Sequence, residues 1–107
     1  MAIKDPNEIL GEMRVIKDAH EVTWMKESCE LSARAHNHVM KNIKPGMNEV
    51  QVQAHLVYSF YKQKALKEGY SSIIASGANA TILHYRANNR DMKDGDLLVI
   101  DAGAEKN

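Results

Sequence analysis

Residues 95–105, "GDLLVIDAGAE", decide the architecture. Asp94-Gly95-Asp96 reads as a tight turn, and "LLVIDAGA" beyond it as a strand: a short apolar run ended by a glycine-containing segment. Upstream, "YSSIIASG" at 70–77 has the same grammar and predicts an earlier strand ended by Gly77. The Leu97-Leu98-Val99-Ile100 run is apolar at successive positions, so both faces of this strand expect cover, as in a central strand. With two or three strands in a chain of 107 residues, little sheet exists to provide it.

Before Gly69 the period changes from two to three-and-four. Asp18 is placed to cap a helix, with Glu21 at the reciprocal capping-box position. Val22, Met25, Cys29, Ser32, His36, Val39 and Ile43 then form one stripe, and Pro45-Gly46 ends the helix. A second helix is predicted from Asn48, with Gln51 three residues on, to Gly69. Its expected inward face is Val50, Ala54, Val57, Tyr61 and Ala65, and "KQKALKE" at 62–68 reads as its solvated end. The short connection predicts an antiparallel hairpin. Residues before Asp18 read as a lead-in, with Asp5-Pro6-Asn7 as a turn and a short helical turn after it. Helices followed by strands predict an α+β fold, a helical hairpin and then β-strands, rather than a bundle.

Composition narrows the function. The chain is long enough for one small domain, 44% hydrophobic and 26% charged, with 14 basic residues against 14 acidic. That balance offers no electrostatic capture of nucleic acid or of an anionic membrane. No apolar run approaches the roughly 18–20 residues of a membrane helix, and "MAIKDPNEIL" does not read as a signal peptide. A single cysteine excludes an intramolecular disulfide and fits a reducing cytoplasm; Cys29, within the helical stripe, reads as a small core residue.

Two residues stand out chemically. Asp101 follows a buried-looking apolar run, where an ionised carboxylate is costly without a cation, a metal or several donors. On spacing alone it is either a capping acid bonded to turn amides around Gly103 or a metal or catalytic residue. His84, between Ile82-Leu83 and the polar "RANNRD", is either a half-buried histidine satisfied by backbone or an acid/base or substrate-contacting group. His36 and His38 point to different faces of their helix, and His20 and His55 read as isolated. No HExxH, CxxC, GxSxG or glycine-rich phosphate loop occurs.

Four segments in order, "RVIKDAHEV" at 14–22, "KPGMNE" at 44–49, "ASGANATILHY" at 75–85 and "GDLLVIDAGAE" at 95–105, resemble the catalytic domain of the Xaa-Pro aminopeptidases of the pita-bread (creatinase, M24) metallopeptidase family. Tyr85 after His84 favours the Xaa-Pro or prolidase branch over methionine aminopeptidases. The resemblance implies a lead-in at 1–13 and, at 14–107, the first half of a pita-bread domain. It implies that Asp101 is the first ligand of a two-metal centre, and that His84 is no ligand but lines the pocket and hydrogen-bonds the substrate or its tetrahedral intermediate. Asn79 and Tyr85 are candidates for the pocket wall. The metal implied is Mn²⁺, with Zn²⁺ or Co²⁺ as alternatives, and the substrate a peptide with proline second. The family's further aspartate, histidine and two glutamates lie beyond Asn107, so the resemblance implies a portion that is inactive alone. Two other readings stand: a half-domain serving as an interaction or assembly module, and a half-site completed by another chain or a second copy.

Overall fold

The computed structural model describes residues 5–106. Among them α1 (Asn7–Val15), α2 (Ala19–Asn42) and α3 (Glu49–Lys62) precede β1 (Lys67–Glu68), β2 (Ile73–Ser76), a 3-10 helix (Gly77–Thr81), β3 (Leu98–Asp101) and β4 (Ala104–Glu105). This is the expected α+β order.

Both capping boxes form. Asp18 accepts from the backbone N–H groups of His20 and Glu21 at 2.8 and 2.9 Å, while Glu21 accepts from the Asp18 N–H at 2.8 Å. The Asn48 N–H likewise donates to Gln51 Oε1 at 2.8 Å. The helices run antiparallel: the His38 ring meets His55 and Tyr58, whereas the Gln63 amide, just past the end of α3, reaches back to the Leu31 carbonyl at 3.2 Å.

Leu31, Ala35 and Val39 of α2, Val52, Leu56 and Phe60 of α3, and Ile74 of β2 make the core, with Ala65 and Met92 closing it. β2 and β3 pair antiparallel, Ile74 opposite Ile100 and Ser76 opposite Leu98. β1 and β4 pair antiparallel in turn, Lys67 opposite Glu105. The Gly69 N–H donates to Gly103 O at 2.9 Å and carries the ribbon across the gap between the two pairs.

Several expectations are corrected. The buried face of α3 is Glu49, Val52, Leu56, Ser59 and Phe60. The expected face of Val50, Ala54, Val57 and Tyr61 is displaced by two positions, roughly 200° around the axis: Val50 and Tyr61 are exposed, while Ala65 is buried as expected but lies beyond the helix. The helix also stops at Lys62 rather than Gly69. Lys64 takes φ +65°, the left-handed conformation that ends helices, without the glycine that usually signals it. "KQKALKE" is therefore not a solvated helix end: Gln63 bonds the hairpin, Ala65 is buried and Lys67-Glu68 is a strand.

The α2 stripe holds at Val39 but fails towards the N-terminus. Val22, Met25 and Cys29 are exposed: α3 packs on α2 only from about Leu31 onwards, and the end of the β1–β4 pair reaches Glu27 through Lys106 while leaving an open pocket beside Met25 and Cys29. α1 is nine residues long, more than the single turn expected, and buries none of them. Residues 1–4 of the lead-in lie outside the described residues. The projecting helical arm gives a radius of gyration of 17.4 Å, against about 13 Å for a spherical domain of this length.

Candidate functional site

The ribbon's alternation builds the site. On β3, Leu98 and Ile100 turn towards the helices, while Val99 and Asp101 turn outwards. On β2, Ile73 and Ala75 share that outer face, opposite Asp101 and Val99 respectively. The chain then reverses at Gly77, which has φ +54° and where a Cβ would come within 2.8 Å of Asp96 Oδ1 and 2.9 Å of the Arg90 guanidinium. Only glycine meets both demands. The 3-10 helix and residues 82–84 fold back over the outer face, leaving a depression of about 300 Å³ lined by Ile73, Ala75, Ala80, Thr81, Ile82, Leu83, His84, Val99 and Asp101. Asp101 and His84, far apart in sequence, thus line one concavity.

Neither residue has the environment expected of it. Asp101 is exposed, and its hydrogen bond comes from the Tyr70 hydroxyl at 2.6 Å rather than from turn amides around Gly103. That bond, with burial and the nearby negative charge, pushes the Tyr70 phenol up to about 12. Outward position at the end of a strand relieves the desolvation cost that made the acid look anomalous. His84 is also exposed, and its backbone lies in the left-handed region at φ +54°. Histidine visits this region more than most residues, yet it remains sparsely populated.

Asn79 and Tyr85 do not line the depression. They face inwards to a residue the sequence reading passed over, Glu49. Its side chain is fully buried, at 0% exposure. Oε1 accepts from the Ser76 N–H and hydroxyl, both at 2.7 Å, and from the Asn79 amide at 3.2 Å. Oε2 accepts from the Tyr85 hydroxyl at 2.8 Å and the Arg90 N–H at 3.1 Å. Burial alone raises the carboxyl, but these bonds, from the Ser76 hydroxyl foremost, outweigh it and bring the group down to about 2. The Arg90 guanidinium extends the network to the Ser76 hydroxyl at 2.7 Å and to Asp96 at 2.6 Å. In sequence Glu49 reads as an ordinary acid in the first turn of a helix, and nothing local signals that its partners wait at positions 76–90.

The His38 ring packs 5.6 Å from that of His55, so His55 is not isolated; His20 likewise lies beside Trp24, at 6.5 Å. No cluster of three His, Cys, Asp or Glu side chains among the described residues is arranged to hold a metal ion. Asp101 suits an oxygen-rich site as one ligand, but one carboxylate does not make a two-ion site. No helix among the described residues is long and apolar enough to cross a membrane.

Comparison with known proteins gives a consistent picture. Residues 23–107 match the profile described as metallopeptidase family M24. A Xaa-Pro aminopeptidase of Haemophilus influenzae is 38% identical over 103 residues, 96% of this chain and 24% of that protein. Among solved structures, Pseudomonas aeruginosa aminopeptidase PepP superposes with a TM-score of 0.87 at 46% identity, over 92% of this chain and 22% of the other. Proline aminopeptidase P II from Yersinia pestis superposes with a TM-score of 0.91 at 38% identity, over 96% and 24%. The chain spans about a quarter of the length of the relatives it matches.

Proposed function

This chain belongs to metallopeptidase family M24, and from that membership we propose that it is the portion of a Xaa-Pro aminopeptidase that supplies one metal ligand, Asp101, and one substrate-contacting residue, His84. The observation that carries the reading is their shared depression, about 300 Å³ in volume and walled by apolar side chains. Its size suits the end of a short peptide. The substrate is a peptide with proline second, as the names of the relatives indicate for those enzymes. Mn²⁺ is the preferred ion, since carboxylate ligation favours a hard cation, with Zn²⁺ and Co²⁺ as alternatives. When bound, the ions would polarise the scissile carbonyl and lower the pKa of water.

The residues of this chain do the rest of what is proposed here. Asp101, oriented by the Tyr70 hydroxyl, presents a carboxylate oxygen to the depression. His84 offers an imidazole for hydrogen bonding to the peptide. The apolar wall of Ile73, Val99 and Leu83 receives side chains and excludes water. The lone Cys29 thiol accords with a cytoplasmic setting.

The chain on its own is proposed to be inactive, because a lone carboxylate does not retain two divalent ions. A second reading, completion of the site by another chain or a second copy, has one observation in its favour. The outer face is open, with Leu97 81% and Leu83 86% exposed.

The test is a chimera in which this chain replaces the matching segment of the Haemophilus influenzae relative. Release of the N-terminal residue from a Xaa-Pro peptide is expected from the chimera with Mn²⁺, and its loss on Asp101→Ala or His84→Ala. An inactive but folded chimera would sink the proposal, and activity of the isolated chain would replace it with the second reading.

A further inference from the structure

The segment from Ser76 to Arg90 leaves the ribbon, carries His84, and returns to a bridge between Asn48 and Asp91. It contains little regular structure of its own beyond the 3-10 helix. All five donors to Glu49 nevertheless come from this segment: Ser76 twice, Asn79, Tyr85 and Arg90. One carboxylate on the first turn of α3 therefore holds both ends of the loop and two points within it. His84 lies between those interior points, immediately before Tyr85. A second clasp, Asn79 Nδ2 donating to the Tyr85 hydroxyl at 2.9 Å, closes the span that contains it.

Such a clamp explains how a left-handed residue is maintained. A non-glycine at φ +54° is strained and persists only where its surroundings over-determine it. His84 itself is exposed and makes no core contact that would do so. The constraint reaches it through Tyr85, a buried residue whose hydroxyl ends on Glu49.

We propose that Glu49 is a positioning residue: it holds the 77–90 loop in the conformation that sets His84 against the depression shared with Asp101. This rests on the reading of His84 as the substrate-contacting residue. Glu49 touches neither the substrate site nor His84, so its effect is indirect. The chemistry requires an ionised carboxylate, because each oxygen accepts from several donors at once and an amide at that position offers a single acceptor oxygen.

The imidazole signals of the five histidines, read by proton–carbon correlation NMR, test this in the full chain, with His84→Gln identifying the resonance of interest. Glu49→Gln is expected to move the His84 signal and to speed amide exchange across residues 77–90 by at least about tenfold. The other four histidine signals, and exchange within α2 and α3, should stay in place. A folded Glu49→Gln variant with His84 and its loop unchanged would overturn the proposal. So would exchange accelerated equally in the helices, which would make Glu49 a support of the whole fold. If Glu49→Gln does not fold, Tyr85→Phe decides, since it removes one hydroxyl and leaves the carboxylate: a displaced His84 signal supports the clamp and an unmoved one overturns it. No substrate enters the measurement, so it is separable from the chimera. An inactive chimera with the Glu49 dependence intact would defeat the catalytic reading of His84, not the clamp.

Discussion

The two faces of the β2–β3 ribbon are made from alternate residues of the same strands and have opposite fates. Inwards, Ile74, Ser76, Leu98 and Ile100 meet the helical hairpin, and Ile74 and Ser76 are fully buried. Outwards, Ile73, Val99 and Asp101 meet a folded-back loop and, at Asp101, the Tyr70 hydroxyl, and Val99 remains 44% exposed. The inner face stabilises: burying a side chain such as Ile74 contributes roughly 1.5–3 kcal/mol. The outer face carries Asp101, proposed above as a metal ligand, and leaves apolar surface open. Period-two geometry lets one strand serve both purposes, and a slip of one residue would exchange them.

The largest effect should come from the inner side. Phe60→Ala is expected to cost about 3–5 kcal/mol in urea unfolding, as a fully buried aromatic lost from a closed core. A cost below about 1 kcal/mol would mean that the hairpin–ribbon contact is not the stabilising one, and the comparison would break.

Acid unfolding should report Glu49 next. Its carboxyl sits at about 2 in the folded chain against 4.5 ordinarily. The folded state therefore gains from the charged form above about 4.5, and that gain disappears as pH falls through about 2. The difference is on the order of 3 kcal/mol. Stability measured at neutral pH and at two or three points down to pH 2 should show this slope, and Glu49→Gln should flatten it. An unchanged slope in the variant would place the acid sensitivity elsewhere.

The smallest effect is expected outside. Leu97→Ser, at a position 81% exposed, should shift stability by no more than about 0.5 kcal/mol. A loss above about 1 kcal/mol, growing with protein concentration, would reveal that the outer face is covered in solution by a second copy, and would sharpen the contrast into one between two interfaces.

The helix starts were legible because capping is local: Asp18 with Glu21, and Asn48 with Gln51, need only residues three apart. Both strands and the turn at Gly95 were legible for the same reason, but the all-apolar run of β3 predicted cover on both faces, whereas Val99 on the outer face stays 44% exposed. The end of α3 was not, since Lys64 adopts the left-handed conformation without a glycine to mark it. Nor was the inward face of α3, where Val50, Ala54, Val57 and Tyr61 offer an apolar stripe about as regular as Val52, Leu56 and Phe60. Periodicity detects a stripe, and only the partner helix chooses between two of them.

The same division runs through the site. Sequence by itself singled out Asp101 and His84, because they sit in recognisable words, and it determined the order of the elements, because capping, period and turn chemistry act over a few residues. Tertiary structure alone decided that Asp101 is exposed and paired with Tyr70, that His84 shares its depression, and that Glu49 is buried under five donors drawn from the 76–90 loop. Burial and hydrogen-bond partnership depend on which distant segments meet, and that is settled by packing the whole chain rather than by any short stretch of it.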